Sequence, residues 1–96
     1  RVSRRVKSFP IAPRIDLRPD DKAQRWLLNI SASDRPGLLY AISAVFAKYG
    51  VSVQLAKILT LGERAEDSFL IEGAALQDNR SQLALEHDLL RALANP

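Results

Sequence analysis

The chain has 96 residues, 47% hydrophobic and 26% charged, which is the composition of one small globular domain. It has no cysteine, so a disulfide framework and a thiolate metal site are excluded. No apolar run approaches the roughly 20 residues of a membrane-spanning helix, and no signal-peptide core is present. We therefore expect a cytoplasmic domain with no membrane partner. A start at Arg1 and the lack of methionine are typical of a piece of a longer protein.

The net charge of +3 is unevenly distributed along the chain. Residues 1–25 carry eight Lys and Arg against three Asp and Glu, whereas the remainder carries six against eight. The positive charge thus belongs to the N-terminal arm, and three of the six aromatic residues fall on predicted apolar faces. Both features argue against a nucleic-acid partner.

The first quarter of the chain predicts a basic arm followed by an edge strand. Residues 1–8 are predicted to be solvated. Apolar residues then occupy odd positions between Phe9 and Leu17, with two prolines among them. Because proline is confined to the edges of sheets, this segment is predicted to be an extended edge strand. Residues 18–22 predict a turn.

A strand, a helix and a second strand are predicted next. Alternation over residues 26–33 predicts a half-buried strand. Apolar residues at steps of three and four predict a helix over 37–49, which Gly50 ends as a C′ glycine. Alternation resumes at 51–55 and then slips, which predicts either a bulge near 55–57 or a strand covered on both faces. The helix stripe comprises Leu38, Leu39, Ile42, Val45, Phe46 and Tyr49.

A hairpin and a closing helix complete the predicted order. Residues 62–65 are predicted to form the hairpin loop and 66–73 the returning strand, with Phe69 and Ile71 on one face.

The closing helix is predicted over about residues 81–94, capped by Ser81 or Asn79, with a stripe of Leu85, Leu89, Ala92 and Leu93. Two helices cover only one face of such a sheet. The sequence therefore predicts a two-layer α+β sandwich with one open sheet face.

Catalytic groups are scarce in this sequence. His87, the single histidine, is predicted to face solvent on the last helix. Glu63, Glu66 and Asp67 gather near the hairpin but lack the ordered spacing of a calcium loop, so we interpret them as solvated charges. The chain is therefore predicted not to be an enzyme, with no catalytic or metal-binding residue and no cofactor of its own.

The strand-to-helix corner at residues 34–39 has a pattern that admits two interpretations. Asp34 can accept hydrogen bonds from free helix amides, Pro36 has no N–H to lose there, and Gly37 permits close approach. These features suit a capped helix start. They also suit a small anion or amino-acid carboxylate held at the positive end of the helix. Valine in place of Gly37 is expected to abolish such binding while leaving the fold largely intact.

Residues 26–93 resemble an ACT domain, a small regulatory module of amino-acid metabolism. The motif that carries the resemblance is SDRPGLLYAISAVFAKYGVSV, residues 33–53. The continuation AKILTLGERAEDSFLIEG, residues 56–73, is similar to the carboxy-terminal ACT domain of the bacterial bifunctional uridylyltransferase/uridylyl-removing enzymes, which modify the PII signal protein. The resemblance implies a ferredoxin-like sandwich with a basic linker and edge strand over 1–25 and the ACT domain over 26–96.

The sequence departs from the usual ACT pattern at its end. That pattern is βαββαβ, and this chain stops after the second helix, leaving a βαββα core. We expect residues 9–17 to occupy the place of the missing last strand, beside the first strand of the module.

The resemblance also implies a function. It predicts a domain that senses glutamine or another small amino acid and controls a parent nucleotidyltransferase and hydrolase according to nitrogen status. Mg²⁺ is expected only in the catalytic domains of that parent enzyme. The implied partners are another ACT copy, in the same chain or in a homodimer, and the PII protein through the parent enzyme. The alternative is an ACT-fold protein-interaction module that binds no ligand.

In ACT modules the effector is expected between two copies, against the corner of one and the following strand of the other. The corner residues implied are Asp34, Arg35, Pro36, Gly37 and Leu38. The strand residues implied are Val51, Ser52, Val53 and Gln54. Asp34 would hold an ammonium group, and Ser52 or Gln54 would meet other polar groups of the effector.

Overall fold

In a computed structural model of the chain, residues 12–20 and 24–94 are described. The elements in order are β1 (Arg14–Pro19), β2 (Arg25–Ser33), α1 (Leu38–Lys48), β3 (Ser52–Lys57), β4 (Thr60–Leu61), β5 (Arg64–Glu72), a 3₁₀ turn (Ala74–Gln77) and α2 (Asn79–Ala94). The strands form one antiparallel sheet in the order β1-β2-β5-β3, with β4 also paired to β5. Both helices cover the same face. The predicted α+β, ferredoxin-like sandwich with an open sheet face is therefore confirmed.

The core lies between that sheet face and the two helices. Alternate residues of β2 and β5 are buried there, and so are three leucines of α2 at steps of four. The rings of Phe46 and Phe69 join α1 to β5 in an edge-to-face contact, with centroids 5.4 Å apart and planes at 81°. Leu39 was expected in the α1 stripe, but its side chain is 45% exposed. It follows buried Leu38 by one position, about 100° around the helix, and therefore points away from the sheet.

Strand β1 occupies the predicted place beside the first strand of the module. It pairs with β2 over six residues, with Ile15 opposite Ile30 and Leu17 opposite Leu28. Ile15 and Leu17 pack against the core. The strand continues to Pro19, so the turn predicted at 18–22 begins later than expected. An edge strand tolerates a proline at its end because its outward side makes no ladder hydrogen bond.

Parts of these predictions lie outside the described residues, namely 1–11, 21–23 and 95–96. They include the basic arm, the first part of the predicted edge strand and most of the predicted turn. The division into a linker over 1–25 and a domain over 26–96 stays a prediction, although β1 pairs along β2.

Strand β3 has a bulge and an exposed surface. Its register against β5 shifts between Val53 and Leu55, so a bulge occurs at Gln54, one residue before the range predicted for it. All six residues of β3 are exposed, and the alternative of a strand covered on both faces is wrong. The helices pack over β2 and β5 and leave the β3 edge of the sheet bare.

The turns that connect these elements are tighter than predicted. Strands β4 and β5 are joined by Gly62 and Glu63 alone, because Thr60 already pairs with Ala65. The predicted C′ glycine of α1 is confirmed, with a φ of 66° at Gly50.

The N-terminus of α2 is capped by Asp78, and the caps predicted at Ser81 or Asn79 are wrong. Oδ2 of Asp78 accepts hydrogen bonds from the Ser81 N–H (3.0 Å) and the Ser81 hydroxyl (2.8 Å). The Ser81 hydroxyl, followed by its N–H, lowers the pKa of Asp78. The helix begins two residues before the predicted start, so the capping position falls on Asp78.

The two helices are joined by polar contacts at the C-terminal end of α1. Oδ2 of Asp88 accepts hydrogen bonds from Nζ of Lys48 and from the hydroxyl of Tyr49, each at 2.7 Å. The hydrogen bonds from Lys48 and then Tyr49 lower the pKa of Asp88. One carboxylate thus connects α1 to α2.

Asp88→Asn is expected to lower the free energy of unfolding modestly at neutral pH. Because the folded pKa of Asp88 is lowered, its stabilisation is present above the unfolded value of about 3.8 and is lost as the pH falls through the folded value. Urea unfolding at pH 7 and pH 3 measures the difference. Asp16→Asn is the control, because its 2.7 Å ion pair with Arg18 lies within one strand. An equal loss of unfolding free energy in Asp88→Asn at both pH values would contradict the prediction.

Candidate functional site

The corner between β2 and α1 is built by a type II turn. The N–H of Leu38 donates to the carbonyl of Arg35 (3.2 Å), and Gly37 has φ 82° and ψ 1°. Proline and glycine occupy the two central positions, as this turn type prefers. A Cβ at Gly37 would meet no atom within 4 Å, but the left-handed backbone strains any L side chain. The prediction that valine at this position leaves the fold largely intact therefore has to include a cost in stability.

The helix amides at this corner are not capped by a side chain. The predicted capping role of Asp34 is wrong, because α1 has no side-chain cap and the exposed Asp34 only donates its backbone N–H to Glu63 (2.9 Å). The first N–H bonded back along the helix is that of Ala41, to Gly37 (2.9 Å). Among the described residues, the N–H groups of Leu39 and Tyr40 have no backbone acceptor. The corner therefore presents free donors at the positive end of α1.

Arg35 fixes the corner to the second helix. Its Nη2 donates to the carbonyl of Ala92 at 2.6 Å, and its Nη1 donates weakly to the carbonyl of Pro36 at 3.5 Å. The cation thereby satisfies a carbonyl in the last turn of α2, where the helix dipole favours positive charge. The effector-binding role of Arg35 stays a prediction, and its contacts here are structural.

A cleft of about 260 Å³ lies between the corner and the β4–β5 hairpin. Its lining combines corner residues with residues of the hairpin side, namely Asp34, Arg35, Gly37, Leu38, Leu39, Tyr40, Ile58, Thr60, Ala65 and Asp67. The volume is slightly below the ~300–1,000 Å³ of sites for drug-sized ligands. An amino acid is of suitable size for it.

Asp67 is the buried acid of this cleft. Asp67 is only 2% exposed, and its Oδ1 accepts a hydrogen bond from the N–H of Leu59 at 3.2 Å. Burial raises the pKa of Asp67, the Leu59 hydrogen bond opposes that rise, and the charges of Asp34 and Glu66 add to it. The interpretation of Asp67 as a solvated charge is wrong.

The sequence contained a signal for this burial. Side chains alternate between the two faces along β5, so Asp67 lies on the same face as Phe69 and Ile71. That face packs on the core. Glu66 lies on the open face, where Oε2 accepts the hydroxyl of Ser31 at 2.7 Å and pairs with Arg64 at 2.7 Å. The acids near the hairpin thus separate to opposite faces of the sheet.

The predicted strand half of the site lies far from the corner within one copy. Ser52 pairs with Glu72 at one end of β5, whereas the corner adjoins the other end, where Ser33 pairs with Arg64. Eight residues of strand separate these ends, about 26 Å at ~3.3 Å per residue. Nε2 of Gln54 donates to Oε2 of Glu72 at 3.2 Å. A single copy therefore does not bring residues 51–54 to the corner.

An apolar edge runs along the β3 side of the sheet. We use this name for Val53, Leu55, Ile58, Leu59 and Leu61, which are 43–67% exposed. In the described part of the chain, β3 pairs only with β5, so its outer side has free backbone groups. Such an edge is a template for pairing with another strand.

The described residues include neither a metal-ligand cluster nor a membrane-spanning helix. Across 12–20 and 24–94, no three His, Cys, Asp or Glu side chains lie close enough to hold a metal ion. Neither α1 nor α2 is long and apolar enough to cross a bilayer. His87 is exposed on α2, as predicted.

Comparison with known families assigns this architecture. The sequence profile of the ACT domain matches residues 26–79, more than half of the chain. This chain belongs to the ACT domain family. The match begins at β2 and reaches the start of α2, so it includes the corner and the cleft.

Relatives of this ACT domain carry one shared name. The chain is 61% identical over 95 residues to the bifunctional uridylyltransferase/uridylyl-removing enzyme of Ralstonia nicotianae, with 98% of the chain and 11% of the relative covered. The enzyme of that name from Cupriavidus metallidurans is also 61% identical over 95 residues, with the same coverage. The one from Burkholderia vietnamiensis is 56% identical over 94 residues, with 98% and 11% covered. The ACT domain thus spans about one ninth of each relative, in the C-terminal region.

A solved structure supports the same fold. The crystal structure of an unknown protein from Galdieria sulphuraria superposes with a TM-score of 0.59 at 24% identity, over 69% of this chain and 39% of the other. At that identity the likeness concerns the fold alone. The chain is an ACT regulatory domain whose relatives are named as bifunctional enzymes, as the sequence predicted.

Proposed function

We propose that this ACT domain binds glutamine, or a closely related small amino acid, and thereby regulates the uridylyltransferase and uridylyl-removing activities of a longer parent protein. The observation that carries the proposal is the corner cleft, where free helix amides and a buried carboxylate meet in about 260 Å³. The shared name of the relatives supports the parent activities.

The corner offers a place for the effector carboxylate. The free N–H groups of Leu39 and Tyr40 lie at the positive end of α1, where anions are favoured. The exposed Asp34 lines the mouth of the cleft and offers a negative charge to an ammonium group. Gly37 has no side chain to obstruct the approach to these amides.

A second ACT copy would complete the site. The predicted strand residues 51–54 are exposed or half-buried, and Ser52 to Gln54 lie about 20–26 Å along the sheet from the corner of their own copy. The apolar edge beside them offers a surface that pairing would bury. In this arrangement, β3 of one copy would contribute Ser52 and Gln54 to an effector bound at the corner of the other.

The setting of the domain follows from the same proposal. Glutamine would report nitrogen status, and the parent enzyme would act on the PII protein in the cytoplasm. Any Mg²⁺ would belong to the catalytic domains of the parent.

The first test is calorimetric titration of L-glutamine into the 96-residue chain and into a chain that carries two ACT copies. L-glutamate and L-asparagine are the controls for selectivity. We expect selective binding of glutamine, stronger where two copies pair. If glutamine binds to neither chain, the glutamine function is overturned. That result would favour the protein-interaction module, which the exposed apolar edge supports.

Leu55→Lys is expected to weaken both self-association and glutamine binding, the latter by about 10-fold. Leu55 is 67% exposed, so the substitution leaves the fold of one copy intact, and it lies far from the corner of that copy. Analytical ultracentrifugation and calorimetry measure the two effects. Leu83→Lys is the matched control, because Leu83 is 66% exposed on α2 away from this edge. Unchanged glutamine affinity in a monomeric Leu55→Lys chain would rule out the shared site.

A further inference from the structure

We propose that Asp67 is the group that recognises the ligand's primary ammonium in the corner cleft, so that the cleft selects zwitterionic α-amino acids. This inference rests on the proposed function and adds a binding residue to it. The ligand would lie with its ammonium against Asp67 and its carboxylate toward the free amides of α1. Asp34 would remain at the mouth of the cleft as a second negative charge.

Asp67 has unused hydrogen-bonding capacity. An ionised carboxylate has about four acceptor sites. Only Oδ1 accepts a hydrogen bond among the described residues, from the N–H of Leu59 at 3.2 Å. Because the residue is only 2% exposed, little bulk water reaches the remaining acceptor sites. An ammonium group, with three donors, supplies what the site lacks.

Asp67 also lacks a counter-charge among the described residues. Asp34 and Glu66 are the charged groups that act on Asp67, and both are negative. The nearby cations are held elsewhere, Arg64 on Glu66 at 2.7 Å and Arg35 on the Ala92 carbonyl at 2.6 Å. Within the described residues Asp67 forms no ion pair. A buried carboxylate without a partner favours any cation that enters the cleft.

The structural contact of Asp67 does not depend on its charge. Asp67 also holds the break between β3 and β4, because its Oδ1 accepts the N–H of Leu59. An asparagine side chain keeps a carbonyl oxygen for that contact but carries no charge. The architecture therefore requires an acceptor at this position, whereas ammonium recognition requires the negative charge.

The test compares three probes on three chains. The probes are L-glutamine, glutaramate (glutamine without its α-amino group) and 4-aminobutanamide (glutamine without its carboxylate). The chains are the wild type, Asp67→Asn and the control Glu66→Gln, which removes the same charge one residue away on the opposite sheet face. The Leu59 amide resonance reports occupancy of the cleft, and calorimetry gives the affinities.

The expected result is a loss of charge-dependent selectivity at one position only. Asp67→Asn should weaken glutamine binding by about 30-fold or more, whereas Glu66→Gln should change it by less than about 3-fold. Wild type should prefer glutamine to glutaramate, and Asp67→Asn should bind the two equally.

Three other outcomes would be decisive. If Asp67→Asn keeps the preference for glutamine over glutaramate, the role of Asp67 is overturned while the glutamine function stands. A second case is that glutamine does not bind, but 4-aminobutanamide shifts the Leu59 resonance only when Asp67 is present. Glutamine sensing is then overturned, whereas ammonium recognition by Asp67 is supported. If none of the probes shifts that resonance in the wild type, both are overturned.

Discussion

A chain truncated to residues 24–96 is expected to lose about 3–6 kcal/mol of unfolding free energy relative to the whole chain. The truncation removes β1, which pairs with β2 over six residues and packs Ile15 and Leu17 on the core. It also exposes the flanks of Leu28 and Ile30 that face Leu17 and Ile15 of β1, although both residues are buried in the intact domain. Since small domains have only about 5–15 kcal/mol in total, the truncated domain should be close to unfolding.

Urea unfolding followed by circular dichroism, together with size-exclusion chromatography, tests this prediction. The matched control is a chain of residues 12–96, which keeps every residue of β1. The two chains differ only in residues 12–23, so the difference between their midpoints reports the contribution of β1. The shorter chain should unfold earlier or associate through its newly exposed β2 edge. A monomeric 24–96 chain with the wild-type midpoint would mean that β1 contributes nothing to the stability of the domain.

Gly37→Val is expected to lower the free energy of unfolding by about 2–3 kcal/mol and to abolish glutamine binding. Gly37 has a φ of 82°, and a β-branched residue cannot adopt that backbone without strain. The valine variant therefore mixes a folding defect with a binding defect. Gly37→Asn separates the two, because asparagine tolerates the left-handed region at a cost of about 1 kcal/mol or less.

The asparagine variant should fold and should bind glutamine about 10-fold more weakly, because its side chain occupies the edge of the cleft. Gly62→Asn is the control, since Gly62 is also left-handed (φ 64°) with nothing within 4 Å of a Cβ, and it does not line the cleft. It should have the same stability cost and unchanged affinity. Wild-type affinity in Gly37→Asn would place the effector away from this corner.

The elements that sequence reasoning predicted well are those whose pattern reflects a single buried face. β2 and β5 alternate, the helices repeat at three and four, and their order determines a two-layer sandwich. The type II turn at the corner follows from its central proline and glycine, and the same glycine leaves room for a ligand to approach.

The remaining features depend on contacts that local pattern does not specify. β3 is solvent-exposed because the helices cover other strands of the sheet. The hydrogen bond from Arg35 to the carbonyl of Ala92 joins residues 57 positions apart in the sequence. Asp67 is the instructive case, because the phase of β5 predicted its burial while its charge argued for solvent. In the structure, the position of Asp67 in the alternating strand determines its burial, and its charge does not. In the proposed arrangement the corner meets residues 51–54 of a second copy, and the pattern of one chain does not specify that pairing.

The two edges of the sheet differ in a way that limits how many copies can assemble. The β1 edge carries exposed Arg14, Asp16 and Arg18 and ends in Pro19, features that discourage further strands from adding. The opposite edge is apolar and open. Two copies that meet through β3 about a two-fold axis use up that open edge in both, and each then presents only its charged one. Under the proposed pairing, growth would stop at a closed pair, so a regulatory signal from this domain would be shared by two copies and would not spread along a filament.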